Sequence, residues 1–297
     1  MIPYHRPAPI EVDFRDIFET GVYTNGDYCR ELERKLGEMY KCEALVCSSG
    51  TAAIILAIYG QEPYLFYNSS IILPAFTWFS VDYIFSIMNL KYKYTDIDLK
   101  TWLANKDANF KLHTFGNSDD SNDTEAIYDG AHSLGSKFRT LGKGTIISFA
   151  PTKLVTAGEG GVLLVSDRIT DRTRENRDKC FRMSEFHAKL CLEYLKDLPE
   201  FLSWKREAYN YYKKHIDGEF QEIPFDSSYN TIGFINTKRL TIPNEIETRQ
   251  YYYTITFKIC RNADYVYNNI ICLPSWYGVN YKKIVELINT ENNGHGK

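Results

Sequence analysis

A lysine, an aspartate and a Ser-Gly-Thr turn, each at the mouth of a short apolar run, are the residues of this chain whose types and positions suit joint chemistry. Ile146 to Ala150 reads as a strand. Pro151 ends it, because proline cannot donate to a ladder. Lys153 follows at once, and Gly158-Glu159-Gly160-Gly161 turns the chain into a second apolar run, Val162 to Val165. A lysine at the rim of a buried sheet is desolvated, which lowers the ammonium pKa and frees the neutral amine for Schiff-base chemistry. The same residues also describe a solvated lysine in a hairpin loop. Upstream, Ala126-Ile127-Tyr128-Asp129-Gly130-Ala131-His132 places a carboxylate at a strand end and a histidine three residues on. Pyridoxal phosphate (PLP) needs a lysine for its aldehyde, a carboxylate for its pyridine nitrogen and a phosphate cradle. Lys153, Asp129 and Ser49-Gly50-Thr51 could supply all three.

The elements that must position these groups are legible nearby. Glu43 to Cys47 reads as a buried strand and Ala52 to Ile58 as a helix, so Ser49-Gly50-Thr51 is a strand-to-helix turn. Free N–H groups at a helix start bind anions, and glycine lets a phosphate approach the backbone. A plain N-cap by Ser49 or Thr51 is the other reading. Residues 28 to 40 form an amphipathic helix pattern on Leu32, Leu36, Met39 and Tyr40. Ile71 to Leu73 is a strand ending at Pro74, and Trp78 follows, either stacked on a flat ring or packed in the core. Lys91 to Asp96 is another strand. Asp96 and Asp98 read as turn and cap residues, because a third ligand at metal spacing is missing. His113 reads as structural, and Asn117 to Asp123 as a solvated, mobile loop. A short helical stretch is expected at Asp13 to Glu19, an exposed helix face around Asp167 to Glu175, a long helix opening at Phe181 and another over 199 to 216. Residues 217 to 291 read as short strands and turns, and 292 to 297 as a disordered tail.

Composition narrows the function classes. The 297 residues are 44% hydrophobic and 25% charged, with 35 basic and 38 acidic side chains and a net charge of -3. That is an ordinary globular balance and points to neither nucleic acid nor a membrane surface as partner. No apolar run approaches the roughly 20 residues of a membrane span, and the N-terminus lacks the apolar segment of a signal peptide. Seven scattered cysteines without a CxxC pair predict neither zinc nor disulfides, so a reduced, cytoplasmic setting is expected.

The order Ser-Gly-Thr, Pro-x-x-Thr-Trp, Asp-x-Ala-His, Ser-Phe-x-x-Thr-Lys, Gly-Glu-Gly-Gly resembles the DegT-type sugar-nucleotide aminotransferases, a branch of fold-type-I PLP enzymes. The resemblance covers roughly residues 1 to 200. It implies that Lys153 bonds the cofactor and then serves as acid and base, and that Asp129 pairs with the pyridine nitrogen. It further implies Ser49, Gly50, Thr51 and Ser148 at the phosphate, Trp78 on the ring face and His132 at the ring hydroxyl. Thr24-Asn25-Gly26 resembles a segment near the family's substrate site, and Thr248 to Tyr252 one facing the sugar nucleotide. Cys180 stands where the family carries an asparagine that reaches the partner subunit's cofactor, which puts that contact in doubt.

The fold class expected is therefore α/β: a large domain, residues 1–195, with a mostly parallel seven-stranded sheet, and a small α+β C-terminal domain, residues 196–297, trimmed relative to the family. The activity implied is amino transfer from an amino acid, L-glutamate favoured, to a nucleotide-linked keto-deoxysugar, a 4-keto-6-deoxyhexose favoured, by a homodimer without a metal. Dehydratase relatives carry a histidine in place of the lysine, so Lys153 favours transamination. The alternative is a catalytically silent PLP-fold protein acting as partner subunit or binding protein.

Overall fold

The computed structural model describes residues 1–61, 70–252 and 260–294. The strands are β1 (Glu43–Cys47), β2 (Ile71–Pro74), β3 (Tyr92–Thr95), β4 (Phe110–Leu112), β5 (Ile127–Asp129), β6 (Gly144–Ser148), β7 (Gly161–Val165), β8 (Glu219–Phe220), β9 (Ile232–Ile235) and β10 (Ile270–Leu273). The helices are α1 (Arg15–Thr20), α2 (Asp27–Tyr40), α3 (Gly50–Ile55), α4 (Phe79–Ile87), α5 (Asp171–Cys180), α6 (Glu185–Lys196), α7 (Leu198–His215), α8 (Arg261–Asn269) and α9 (Tyr281–Gly294).

The large sheet has the order β1-β7-β6-β5-β4. β4, β5 and β6 run parallel, and β7 is antiparallel to both β6 and β1. Alternate residues of these strands face opposite ways. Val46, Ile147, Val162 and Leu164 pack against Leu32 and Leu36 of α2 and Cys191 of α6. Leu45, Cys47, Ile146 and Leu163 pack against Ala52 and Ala53 of α3 and Phe85 of α4. The near-continuous apolar strands follow from being covered on both faces.

All seven expected strands form, but in two ladders: five strands, and a parallel pair β2–β3 beside β4. The reason lies in Asn109, just before β4. Its backbone N–H donates to Ile72 O at 3.1 Å, and its side-chain Oδ1 accepts from Ile72 N at 2.7 Å. A side-chain amide thus takes the place of a main-chain rung.

The C-terminal third holds the antiparallel sheet β10-β9-β8, packed through Phe234 and Leu273 on Tyr212 of α7 and on Ile284 and Ile288 of α9. Two expectations fail in this region. Residues 217 to 291 contain the helices α8 and α9 as well as strands, and α9 continues to Gly294 where a disordered tail was expected. Residues 295 to 297 of that tail lie outside the described residues. The Asn117 to Asp123 loop also differs from expectation. Asn117 and Ser118 are buried, and the enclosed Lys111 ammonium pairs with Asp119 and Asp123. The helix expected to open at Phe181 starts at Glu185, capped by Ser184.

Asp96 acts as a cap, accepting from Asn262 N at 3.0 Å and Ala263 N at 2.9 Å at the start of α8. Glu185, 3% exposed, plays the same part for α2. Its carboxylate accepts from the N–H groups of Gly26, Tyr28 and Cys29 at 2.8 to 3.0 Å. These bonds satisfy donors that a helix start leaves unpaired. They also fix the Thr24-Asn25-Gly26 turn, which does not line the main cavity.

Candidate active site

The parallel strands deliver their functional residues to one edge of the sheet, outside their carboxyl ends, where open α/β sheets bind ligands. Cys47 ends β1 and leads to Ser49, Asp129 ends β5, Ser148 ends β6, and Trp78 lies four residues beyond β2. These positions, with Gly50, Thr51, His132 and Lys153, line one cavity of about 400 Å³. Every residue named above for cofactor binding therefore faces the same space.

Ser49 caps α3, its Oγ accepting from Ala52 N at 3.0 Å. A serine hydroxyl retains its own O–H for donation while it accepts. The Gly50 position is tight: a Cβ there would stand 2.9 Å from Ser148 Cβ and 3.1 Å from Ser148 Oγ. Gly161 is tighter, with Ser49 O 2.4 Å from where its Cβ would lie. Two glycines thus let the turn close down on the ends of β6 and β7, leaving a short hydroxyl-lined cradle.

Asp129 is 4% exposed. Its Oδ1 accepts from Ala131 N at 2.9 Å, and among the described residues its Oδ2 has no donor. Burial pushes the carboxyl pKa up, while the Ala131 N–H and Lys153 pull it down. Lys153 is half-buried, and its Nζ has no hydrogen-bond partner among the described residues. Burial lowers its pKa to about 8, with Asp129 opposing. Burial likewise drives His132 well below the ordinary imidazole value, aided by Lys153 and Lys205. Its Nδ1 lies 3.2 Å from Tyr252 Oη.

Trp78 is 42% exposed at the start of α4, with edge contacts to Tyr251 and Tyr252 at 6.1 and 6.3 Å. It is a wall of the cavity rather than part of the core. His113 is buried between Tyr128 and Phe138, stacked at 5.0 and 5.1 Å, and its Nδ1 accepts from Asp119 N. Cys180 is exposed and does not line this cavity. Of the 248–252 segment, Tyr251 and Tyr252 reach the cavity and Arg249 does not.

Sequence reasoning missed several walls. Tyr4 and His5 come from the N-terminal arm, Lys205 from α7, and Asn230, Ser275 and Trp276 from the C-terminal third. Lys205 carried a readable signal. It sits on the apolar stripe Phe201, Ala208, Tyr209 and Tyr212 of α7, a position a solvated lysine would avoid.

No helix is long and apolar enough to cross a membrane, and no metal-binding group of side chains occurs, among the described residues.

An α/β sheet that presents a desolvated lysine and a buried carboxylate to one cavity is a frame for cofactor-assisted nitrogen chemistry. The chain belongs to the DegT/DnrJ/EryC1/StrS aminotransferase family, matched over residues 8–109 and 119–290. It is 26% identical over 249 residues to GDP-perosamine synthase of Escherichia coli O157:H7, across 68% of this chain and 66% of that relative's length. Its fold matches the sugar aminotransferase CalS13 from Micromonospora echinospora with a TM-score of 0.84 at 18% identity, covering 98% of this chain and 100% of that one. It also matches the E. coli GDP-4-keto-6-deoxy-D-mannose-3-dehydratase with bound hydrated PLP, with a TM-score of 0.77 at 18% identity over 98% and 100% of the chains.

Proposed function

We propose that the protein is a PLP-dependent aminotransferase moving nitrogen from an amino acid, L-glutamate favoured, to a nucleotide-linked 4-keto-6-deoxysugar. The observation that carries this reading is Lys153 and Asp129 facing one cavity, each perturbing the other's proton affinity. The names of the relatives support the sugar part.

The residues present fit the cofactor. The Ser49–Thr51 turn, with Ser148 behind Gly50, offers hydroxyl and backbone donors to a phosphate. Among the described residues Asp129 Oδ2 has no donor, and it suits a protonated pyridine nitrogen, which in turn would compensate a carboxylate that is costly to bury alone. Trp78 offers a ring face and His132 a polar edge. Bound there, PLP supplies an aldehyde for the nitrogen and a ring that stores the electron pair released at the donor's α-carbon.

Lys153 is the residue that would hold the cofactor through its aldehyde. With its amine free, Lys153 Nζ would take the proton from the donor's α-carbon and, in the second half of the reaction, deliver one to the sugar carbon that receives the nitrogen. A pKa near 8 suits both directions of transfer. Asp129 would hold a proton on the ring nitrogen. Tyr252, 4% exposed, and Trp78 shield the reacting atoms from water.

The absorption spectrum of the purified protein before and after L-glutamate tests this. A yellow protein that bleaches to the pyridoxamine form supports the reading. A colourless protein that takes up no PLP overturns it and leaves the silent-partner alternative in front.

A further inference from the structure

The cavity holds a second lysine for which the proposed mechanism has no use. Lys205 is 6% exposed and lines the same space as Lys153. Its Nζ donates to Asn230 O at 2.7 Å and to Ser275 Oγ at 2.9 Å. An ammonium has three donors, so one remains among the described residues. Both acceptors are neutral, and among the described residues Lys205 has no ion pair with a carboxylate. A buried cation without a counter-ion is costly and is retained where a ligand supplies the charge.

The position of Lys205 says which ligand. Asn230 receives the Lys205 ammonium on its backbone carbonyl, and its side chain bonds Thr152 O and Leu154 N, on either side of Lys153. The two lysines are thus one residue apart in the network. In an α-amino acid a single carbon separates the reacting nitrogen from the carboxylate, so the carboxylate must lie close to Lys153. In a nucleotide sugar, most of a pyranose ring separates the keto carbon from the diphosphate. Lys153 and Lys205 are also the two Lys or Arg side chains that line the cavity among the described residues. We propose that Lys205 is a specificity-determining residue that binds the carboxylate of the amino donor through its unused N–H. This rests on the aminotransferase reading.

The test uses the PLP-loaded full-length protein and glutarate, a five-carbon dicarboxylate that has no amine and cannot react. Calorimetry at pH 8 should show glutarate binding to the wild type, weakened roughly 10–100-fold in Lys205→Gln and largely kept in Lys205→Arg. GDP binding, measured alongside, should stay within about threefold in all three.

A second readout compares the wild type with Lys205→Gln. Burial lowers the Lys205 pKa to about 7, so at pH 8 carboxylate binding should draw a proton from buffer, visible as a binding heat that changes with the buffer's ionisation enthalpy. His5 and His132 feel its charge, and Tyr4, Asp129, Lys153 and Tyr252 line the same cavity. Both imidazoles lie far below pH 8. The imine nitrogen that Lys153 would share with the cofactor can take up a proton in wild type and Lys205→Gln alike, so the uptake lost in Lys205→Gln is the share that belongs to Lys205.

Equal glutarate affinity in wild type and Lys205→Gln, or proton uptake no greater in the wild type than in Lys205→Gln, overturns the proposal while leaving the glutamate spectrum, and the aminotransferase reading, untouched. Loss of GDP binding in Lys205→Gln with glutarate unaffected also overturns it, in favour of a diphosphate contact. A wild type whose spectrum no amino acid changes removes the reading and the proposal together.

Discussion

Asn230 grips the loop that carries Lys153 from both sides. Its Oδ1 accepts from Leu154 N at 2.8 Å and its Nδ2 donates to Thr152 O at 3.4 Å. The nucleophile sits on a loop, yet its immediate neighbours are tied to a buried residue from 77 positions later in the chain. Rigid support of this kind decides how well a reacting group is aimed.

Asn230→Ala should therefore cost about 1–3 kcal/mol of stability, because Leu154 N is left unpaired. It should also lower turnover by roughly 10-fold or more through misaiming of Lys153. Urea melts and steady-state rates read the two effects separately. A stability loss with unchanged turnover would mean that Asn230 supports the fold alone.

Lys153→Ala should remove borohydride-fixed cofactor altogether and cut turnover by about 1000-fold or more. Peptide mass after borohydride treatment reads the first directly. Cofactor still fixed in the variant would place the reactive amine elsewhere.

Asp129→Asn should cut turnover by ~100-fold or more while cofactor retention changes far less. The amide cannot hold positive charge on the ring nitrogen, whereas the phosphate turn remains intact. Small, equal effects on both would show that Asp129 does not face the pyridine nitrogen.

Stability should depend on pH through Lys205 with a definite sign. Its folded pKa, about 7, lies below the ordinary lysine value of 10.5. Between those values the unfolded chain binds more protons, so the lysine's destabilisation is full below pH 7 and fades as pH rises toward 10.5. In the cofactor-free protein, Lys205→Met should gain most on the wild type near pH 6.5 and lose that advantage at high pH. Paired melting temperatures across pH 6 to 9.5 check this. A pH-independent difference would mean that Lys205 titrates near its ordinary value.

Much of the large sheet was legible because each segment carries its own signal. The apolar run Glu43 to Cys47 forms the strand expected of it, with Ser49 as a helix cap immediately after. The strand expected over Ile146 to Ala150 forms as Gly144–Ser148, so it stops short of Pro151, which lies in the turn beyond. The rest was hidden where position depends on partners remote in sequence. Lys111 looks like a surface lysine until Asp119 and Asp123 fold back over it. Asn230 and Ser275 belong to no local pattern; only the tertiary fold brings them to Lys153 and Lys205. The apolar residues Ile284, Val285 and Ile288 of α9 do show a helical spacing, which a reading in short strands overlooked.

The cavity is closed by residues about 270 positions apart in sequence. Tyr4 and His5 meet Ser275 and Trp276 around it, and the Trp276 indole N–H donates to Pro3 O at 3.0 Å. A ribosome adding about 5–20 residues per second needs roughly 15–55 s to travel between those two segments. The pocket has no complete wall until the far segment has left the exit tunnel. Whatever the site takes up is captured after that segment has emerged, and so does not seed the folding of the large sheet.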